Sequence, residues 1–264
     1  MNIRTYHKVD SIDEAYTLLT ANSRATIIAG GAWLKLSPKE VDPAIDLSPL
    51  KLDEIIETED AYEIGCMTTL RQLEKNASLK SHYNGILTRS IGTIMGVPIR
   101  NIATIGGTIA GKYGFSDLIT PLLVLDTELV FYKKGQISLN TFLSSKDFQK
   151  DILLKIIIHK NTGKGYFYSM KKTSNDFPIL NIAVSETGNQ FKVAVGARPG
   201  SAKLAGAAMD YLNRQPKITD EVIREGAHIA AEELTFGSNI RGSQEYRQEL
   251  CRVLVRRGLE EVGC

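Results

Sequence analysis

Two familiar nucleotide-binding signatures are missing from the 264 residues: there is no G-x-G-x-x-G, and no Gly-Lys-Ser/Thr closes a glycine turn. A Rossmann dinucleotide fingerprint and a P-loop are therefore excluded. Cysteine is scarce. Cys66, Cys251 and Cys264 are odd in number, widely separated and never in C-x-x-C spacing. They read as reduced, structural thiols, which argues against an iron–sulfur cluster held by this chain alone. The four histidines, His7, His82, His159 and His228, share no ligand spacing. No Ser-His-Asp or paired-carboxylate arrangement can be argued. Charge of one sign is not in excess either: 32 basic and 30 acidic residues leave a net +2 with no block of like charge. A nucleic-acid or membrane-surface role driven by bulk electrostatics has no support. Long hydrophobic runs are absent, since the stretch Leu118 to Tyr132 is interrupted by Asp126 and Glu128. The first eight residues lack the apolar core of a signal peptide, and the expected compartment is the cytoplasm.

What is present is an ordinary globular composition, 43% apolar and 23% charged, at a length that favours two domains. Ser11-Ile12-Asp13-Glu14 is a capping box that opens a helix through Leu18 and Leu19. Ala25 to Ile28 reads as a buried strand. Thr68-Thr69 caps a helix through Leu70 and Leu73. Tyr83 to Met95 has near-helical apolar spacing, and Pro98 is expected to hold Val97 extended and end that helix. Strands are expected at Glu128–Tyr132 and Ile152–Ile158. The composition shifts at Asn161 to Gly165, taken as the boundary between domains 1–162 and 163–264. Beyond it, three strands (Tyr166–Met170, Ile179–Val184, Phe191–Ala197) precede helices at Ala202–Leu212, Thr219–Leu234 and Ser243–Val262, an α+β pattern.

Two glycine pairs stand out. Ala29-Gly30-Gly31-Ala32 follows the apolar run Ala25 to Ile28, and Thr104-Ile105-Gly106-Gly107-Thr108 follows the apolar approach Ile99 to Ile105. Consecutive glycines permit φ > 0 and remove the Cβ atoms that keep a large ligand at a distance. Successive N–H groups in such a turn can converge on a phosphate, so two such turns could grip a diphosphate from two sides. Each pair taken singly is more often just a tight turn.

The pairing of Ile27 to Gly31 with Ile99 to Gly107, then Asp117 and Leu122 to Asp126, resembles the FAD-binding medium subunit of molybdenum hydroxylases, the xanthine dehydrogenase and carbon monoxide dehydrogenase flavoprotein family. The tail Ser238 to Arg247 with Leu254 to Arg257 is similar to that family's C-terminal domain. The resemblance implies an α+β fold: a two-subdomain FAD-binding domain of the type-2, PCMH-like kind, with subdomains of about 1–54 and 55–162, followed by a C-terminal α+β domain with a three-stranded antiparallel sheet and helices. It implies FAD as cofactor. By position, Ile27, Ile28, Ala29, Gly30, Gly31, Ala32, Trp33 and Leu34 form the first dinucleotide loop, and Thr104, Ile105, Gly106, Gly107 and Thr108 the second. Asp117 contacts the cofactor's polar portion, Leu153 and Lys171 supply further flavin contacts, and Ile94 takes the place of a ring-stacking aromatic. Many relatives carry hydrogen-bonding side chains where Ala32 and Trp33 stand, and Asn where Thr108 stands, so that loop must rely on its backbone.

Asp117 is also a good candidate N-cap for the run from Leu118. Lys171 and Lys172 are by default solvated; a cation near the flavin would stabilise its anionic reduced form. Trp33 is either a core residue or a stacking partner for the isoalloxazine or adenine. Arg100 and Arg241 read as bracing residues. The implied function is electron transfer from an iron–sulfur subunit, within a complex that includes a large molybdopterin subunit, through FAD to NAD or another acceptor. Two rivals stay open: a self-contained flavin oxidoreductase like the enolpyruvyl-UDP-N-acetylglucosamine reductases, and a degenerate scaffold subunit without cofactor, which Ala32 and Trp33 favour.

Overall fold

The computed structural model describes residues 1–146 and 148–263, so Cys264 lies outside the described residues. Its backbone resolves into two compact units, each drawn from separated stretches of chain. The first takes Met1–Gln72, Gly96–Gly111 and Thr127–Ile158; the second takes Leu73–Met95, Lys112–Asp126 and His159–Cys264.

The first unit opens with a parallel strand–helix–strand module. Ser11 accepts from the Glu14 N–H at 3.2 Å, and Glu14 returns a carboxylate oxygen to the Asp10 N–H at 3.0 Å, starting helix Ile12–Ala21. Strands Tyr6–Lys8 and Thr26–Ile28 flank Ala44–Asp46, both parallel to it. Ala15 and Leu19 from the helix pack on Val9, Ala25, Ile45 and Leu47. A five-stranded sheet comes next, in the order Ile55–Glu57, Ala61–Gly65, Leu153–His159, Thr127–Phe131, Gly135–Ser138. Thr127–Phe131 alternates buried and half-buried positions, the period-2 pattern of a strand with one face covered.

Pro98 does the opposite of what its sequence context suggests. Val97–Ile102 is a short helix with the proline in its first turn, where a missing N–H leaves no hydrogen bond unmade. The residue held extended is Gly96, at φ −96° and ψ 166°. The approach to the second glycine pair is thus helical rather than extended, and Gly106 and Gly107 fall inside a second short helix, Ile105–Ala110. Thr69 and Gln72 form the expected cap, each bonding the other's backbone N–H at 2.8 and 3.2 Å.

In the second unit the expected helix over Tyr83–Met95 is interrupted. Tyr83, Asn84 and Gly85 are all left-handed, at φ 47°, 57° and 69°, and the helix begins only at Ile86. The C-terminal sheet is antiparallel, in the order Lys164–Met170, Leu180–Thr187, Gln190–Gly196, Lys203–Leu204. The sequence predicts three strands there. The fourth, only two residues long, pairs with Ala194 and Val195 and delays the next helix to Gly206–Asn213. Helices Asp220–Glu233 and Gln244–Gly263 pack their apolar faces (Ala227, Ala231, Leu254, Leu259) on Leu180, Ile182, Val184 and Val193.

Arg247 is fully buried on the last helix. Its Nε donates to the Ile179 carbonyl at 2.8 Å, its Nη1 to the carbonyls of Gly237, at 2.6 Å, and Gly242, and its Nη2 to Asn239 Oδ1 at 2.6 Å. One guanidinium therefore fixes the whole Gly237–Gly242 turn to the start of a core strand. Arg247→Met removes all four hydrogen bonds of the guanidinium, the one to the carbonyl of buried Ile179 among them, and is expected to lower stability by about 3 kcal/mol. Urea denaturation of the full chain measures this; an unchanged midpoint contradicts the role given to Arg247.

Candidate functional site

Strand Thr26–Ile28 ends in the first glycine turn, and the two glycines there have separate jobs. Gly31 sits at φ +62°, a conformation costly for any residue with a Cβ. Gly30 is required by proximity: a Cβ on it would lie 1.6 Å from the Ile102 carbonyl oxygen. The first loop is therefore pressed, backbone to backbone, against the end of helix Val97–Ile102, two residues before Thr104. None of the hydrogen bonds within the described residues uses the N–H groups of Gly30, Gly31 or Ala32. Three successive donors are left available on a partly open loop, with nothing within 4 Å of the space where a Gly31 side chain would be. Ile27 and Ile28 are half-buried strand residues, Leu34 begins a short 3-10 helix, and Trp33, half-buried ahead of it, is engaged within the protein.

The second glycine pair is built differently. Thr104 caps helix Ile105–Ala110, its Oγ1 accepting from the Gly107 N–H at 3.1 Å. Ile105 donates to the Thr68 carbonyl at 3.0 Å, Gly106 to Cys66 at 2.9 Å, and Thr108 to Thr104 at 3.0 Å. Each N–H from Ile105 to Thr108 thus already has a protein acceptor, and neither glycine has positive φ. The expectation of a second anion nest is not met. The residue type is demanded instead by close packing, since a Cβ on Gly106 would come 2.5 Å from the Cys66 carbonyl oxygen. Gly107 is exposed and presents bare backbone. Leu153, at the start of its strand, is a buried position of the same unit.

Cys66 and Cys251 are buried, and burial pushes both thiols up to about 12. Burial thus leaves both as protonated, unreactive thiols. No group of three His, Cys, Asp or Glu side chains among the described residues could hold a metal ion.

In the second unit, Asp117 and Lys171 come together. Their side chains meet at 2.8 Å and are 3% and 9% exposed. Asp117 Oδ1 accepts from Asn181 Nδ2 at 2.7 Å and Ser169 Oγ at 2.9 Å; Oδ2 also accepts from Thr93 Oγ1 at 3.3 Å. Lys171 donates in addition to the Thr93 carbonyl at 2.6 Å. Asp117 does not cap the following helix. Ser116 does, its Oγ accepting from the N–H groups of Leu118 and Ile119 at 3.2 Å each. Lys171 is correspondingly not the solvated lysine that is the default for its type. Ile94, half-buried, comes directly after Thr93. Arg241 pairs with Asp176 at 3.1 Å and lies over Phe177; Arg100 is buried on its short helix.

Thr93, Ser169 and Asn181 were not legible as partners of Asp117. Asn181 alone leaves a trace, as the one amide in the run Ile179 to Val184. Free main-chain donors on a glycine loop, bare backbone at Gly107 and space at Gly31 suit a dinucleotide's diphosphate, so the residues present fit FAD.

Comparison with known proteins places the family. Residues 1–160 match the FAD binding domain in molybdopterin dehydrogenase, and residues 165–262 match the CO dehydrogenase flavoprotein C-terminal domain. The glyceraldehyde dehydrogenase medium chain of Sulfolobus acidocaldarius is 23% identical, with 98% of each chain covered. The nicotine 6-hydroxylase medium subunit of Paenarthrobacter nicotinovorans is 26% identical over 98% of this chain and 96% of that one. Among solved structures, carbon monoxide dehydrogenase from Hydrogenophaga pseudoflava superposes with a TM-score of 0.88 at 21% identity, covering 99% of this chain and 97% of its own. The α+β chain, with FAD as its cofactor, therefore belongs to the FAD-binding family of the molybdopterin dehydrogenases, oxidoreductase subunits of the molybdenum hydroxylase type.

Proposed function

We propose that this chain is the electron-transfer subunit of a multi-subunit molybdenum hydroxylase, passing electrons from iron–sulfur clusters on a partner chain through FAD to NAD or another acceptor. The observation that carries the proposal is the first glycine loop, whose three unengaged N–H groups and required glycines make a backbone cradle. The relatives from Sulfolobus and Paenarthrobacter are both described as medium members of larger enzymes, which supports a small iron–sulfur subunit and a large molybdopterin subunit as partners. The two family matches end and begin between residues 160 and 165, which supports a boundary between domains 1–162 and 163–264; the subdomains of about 1–54 and 55–162 are part of the proposal. No helix among the described residues is long and apolar enough to cross a membrane, in keeping with the proposed cytoplasmic site.

FAD, when bound, supplies the interconversion of single-electron donors with a two-electron acceptor. The chain's own contribution is to bind and orient. Gly30, Gly31 and Ala32 donate main-chain hydrogen bonds to the diphosphate, so the loss of polar side chains at Ala32 and Trp33 leaves the essential donors in place. Ile27 and Ile28 deliver that loop, and Trp33 and Leu34 close it. Thr104 to Thr108 present the unhindered backbone of Gly107 alongside it rather than further donors. Leu153, Ile94 and Lys171 are proposed to lie toward the flavin. Asp117, paired with Lys171, is proposed to contact the cofactor's polar portion.

Gly30→Ala places a methyl group against the Ile102 carbonyl, so the loop must move. The FAD dissociation constant, read by flavin fluorescence, is expected to rise at least about tenfold. An affinity within a factor of about two of the parent protein rejects the first loop as the cradle. Anaerobic addition of NADH to the FAD-loaded chain tests the acceptor. Bleaching of the flavin's visible band is the expected result; retention of colour with NADH, and its loss with dithionite, assigns the acceptor to another class.

A further inference from the structure

A dinucleotide's diphosphate is an anion, and the first glycine loop meets it with backbone alone. Gly30, Gly31 and Ala32 keep three N–H groups unused within the described residues, but main-chain amides carry no net charge. An anion drawn out of water calls for an opposite charge as well as for donors. Two cations that adjoin the supports of the loop are committed elsewhere. Arg24, just ahead of the strand that carries the loop, pairs with Glu40 at 3.3 Å and Asp42 at 3.7 Å. Arg100, on the helix against which Gly30 rests, is buried and engaged within the protein.

Lys35 is differently placed. It lies in the short 3-10 helix Leu34–Leu36 that follows the loop, it is exposed, and its ammonium enters no ion pair or hydrogen bond among the described residues. Its backbone N–H donates to the Gly31 carbonyl at 3.1 Å, so residue 35 stands one turn beyond residue 31. Trp33 is already right-handed, at φ −101° and ψ −37°, and Leu36 and Ser37 donate to the Trp33 and Leu34 carbonyls at 3.0 Å each, which continues the turn. In a right-handed helical turn the Cα–Cβ bond tilts toward the N-terminal end, and a long side chain covers the turn before its own. Lys35 therefore leans back toward Gly31, the middle one of the three residues whose donors are unused. Its flexible four-carbon stem is long enough to carry the charge across one turn.

We infer that Lys35 supplies the counter-charge for the cofactor's diphosphate, its ammonium binding a phosphate oxygen held at the Gly30 to Ala32 donors. The inference rests on the proposed reading of the first loop as the diphosphate cradle. It gives that loop a division of labour: the main chain fixes the position of the phosphates, and the lysine adds the charge that Ala32 and Trp33 do not bring.

The test measures FAD affinity of the full-length chain by flavin fluorescence at about 0.01 M and about 1 M salt, between which the Debye length falls from about 30 Å to about 3 Å. Lys35→Met keeps the stem and removes the charge; Lys35→Arg keeps the charge. At low salt the FAD dissociation constant is expected to rise about tenfold in Lys35→Met and less than about threefold in Lys35→Arg. At high salt the gap between Lys35→Met and the parent should close to below about twofold. Unchanged affinity of Lys35→Met at low salt overturns the inference. A loss of the same size at both salts, or one equal in Lys35→Arg and Lys35→Met, also overturns it, because that is the signature of lost packing rather than lost charge. Gly30→Ala separates the inference from the reading beneath it. A salt-dependent loss in Lys35→Met, with Gly30→Ala binding FAD as the parent does, overturns the first loop as the cradle and with it the assignment of Lys35 to that loop.

Discussion

Two stretches of main chain meet where Gly30 lies against the Ile102 carbonyl, and the candidate site depends on that contact. A side chain of any size at position 30 would separate the strand-borne loop from the helix that leads to the second glycine pair. Without one, the loop is seated while its N–H groups are left unused by the protein. The same logic recurs at Gly106, which lets the second short helix sit on the Cys66 carbonyl. There the donors are consumed in fastening the helix down. One glycine pair thus keeps donors available, which we propose meet a ligand, and the other supplies rigidity and an unobstructed surface.

Charge is used in the interior in an equally specific way. Arg247 directs its guanidinium to three main-chain carbonyls and one amide, while Asp117 and Lys171 turn to each other and to neutral groups. A buried ion pair is weak evidence for stability, because desolvation offsets most of the attraction, but it is directional. In both places the charged group fixes a short irregular segment, Gly237–Gly242 or Thr93, to a regular element. These are segments that packing alone would hold poorly.

Much of the architecture was legible from local chemistry. The capping pairs at Ser11 and Thr69, the alternation around Leu129 and the helical spacing of the last two helices all describe interactions within a few residues, and the structure keeps them. What failed depended, Pro98 apart, on partners far away in sequence. Pro98 restricts its neighbour in isolation, but Gly96 takes up the extended conformation and leaves Val97 free to start a helix. Gly106 and Gly107 look like a φ > 0 turn until the Cys66 carbonyl, forty residues earlier, is seen to require the small residue. Asp117 looks like a helix cap because caps are local, whereas its partners Ser169, Lys171 and Asn181 lie more than fifty residues downstream. The resemblance singled out both glycine pairs without indicating that they differ in hydrogen bonding.

Whether the two glycine pairs divide the work in this way is tested most directly by amide hydrogen exchange of the full chain with and without saturating FAD. Protection gained on FAD binding should concentrate at Gly30, Gly31 and Ala32, while Ile105 to Thr108, bonded within the protein beforehand, change little. New protection at Ile105 to Thr108, with none at Gly30 to Ala32, would contradict it.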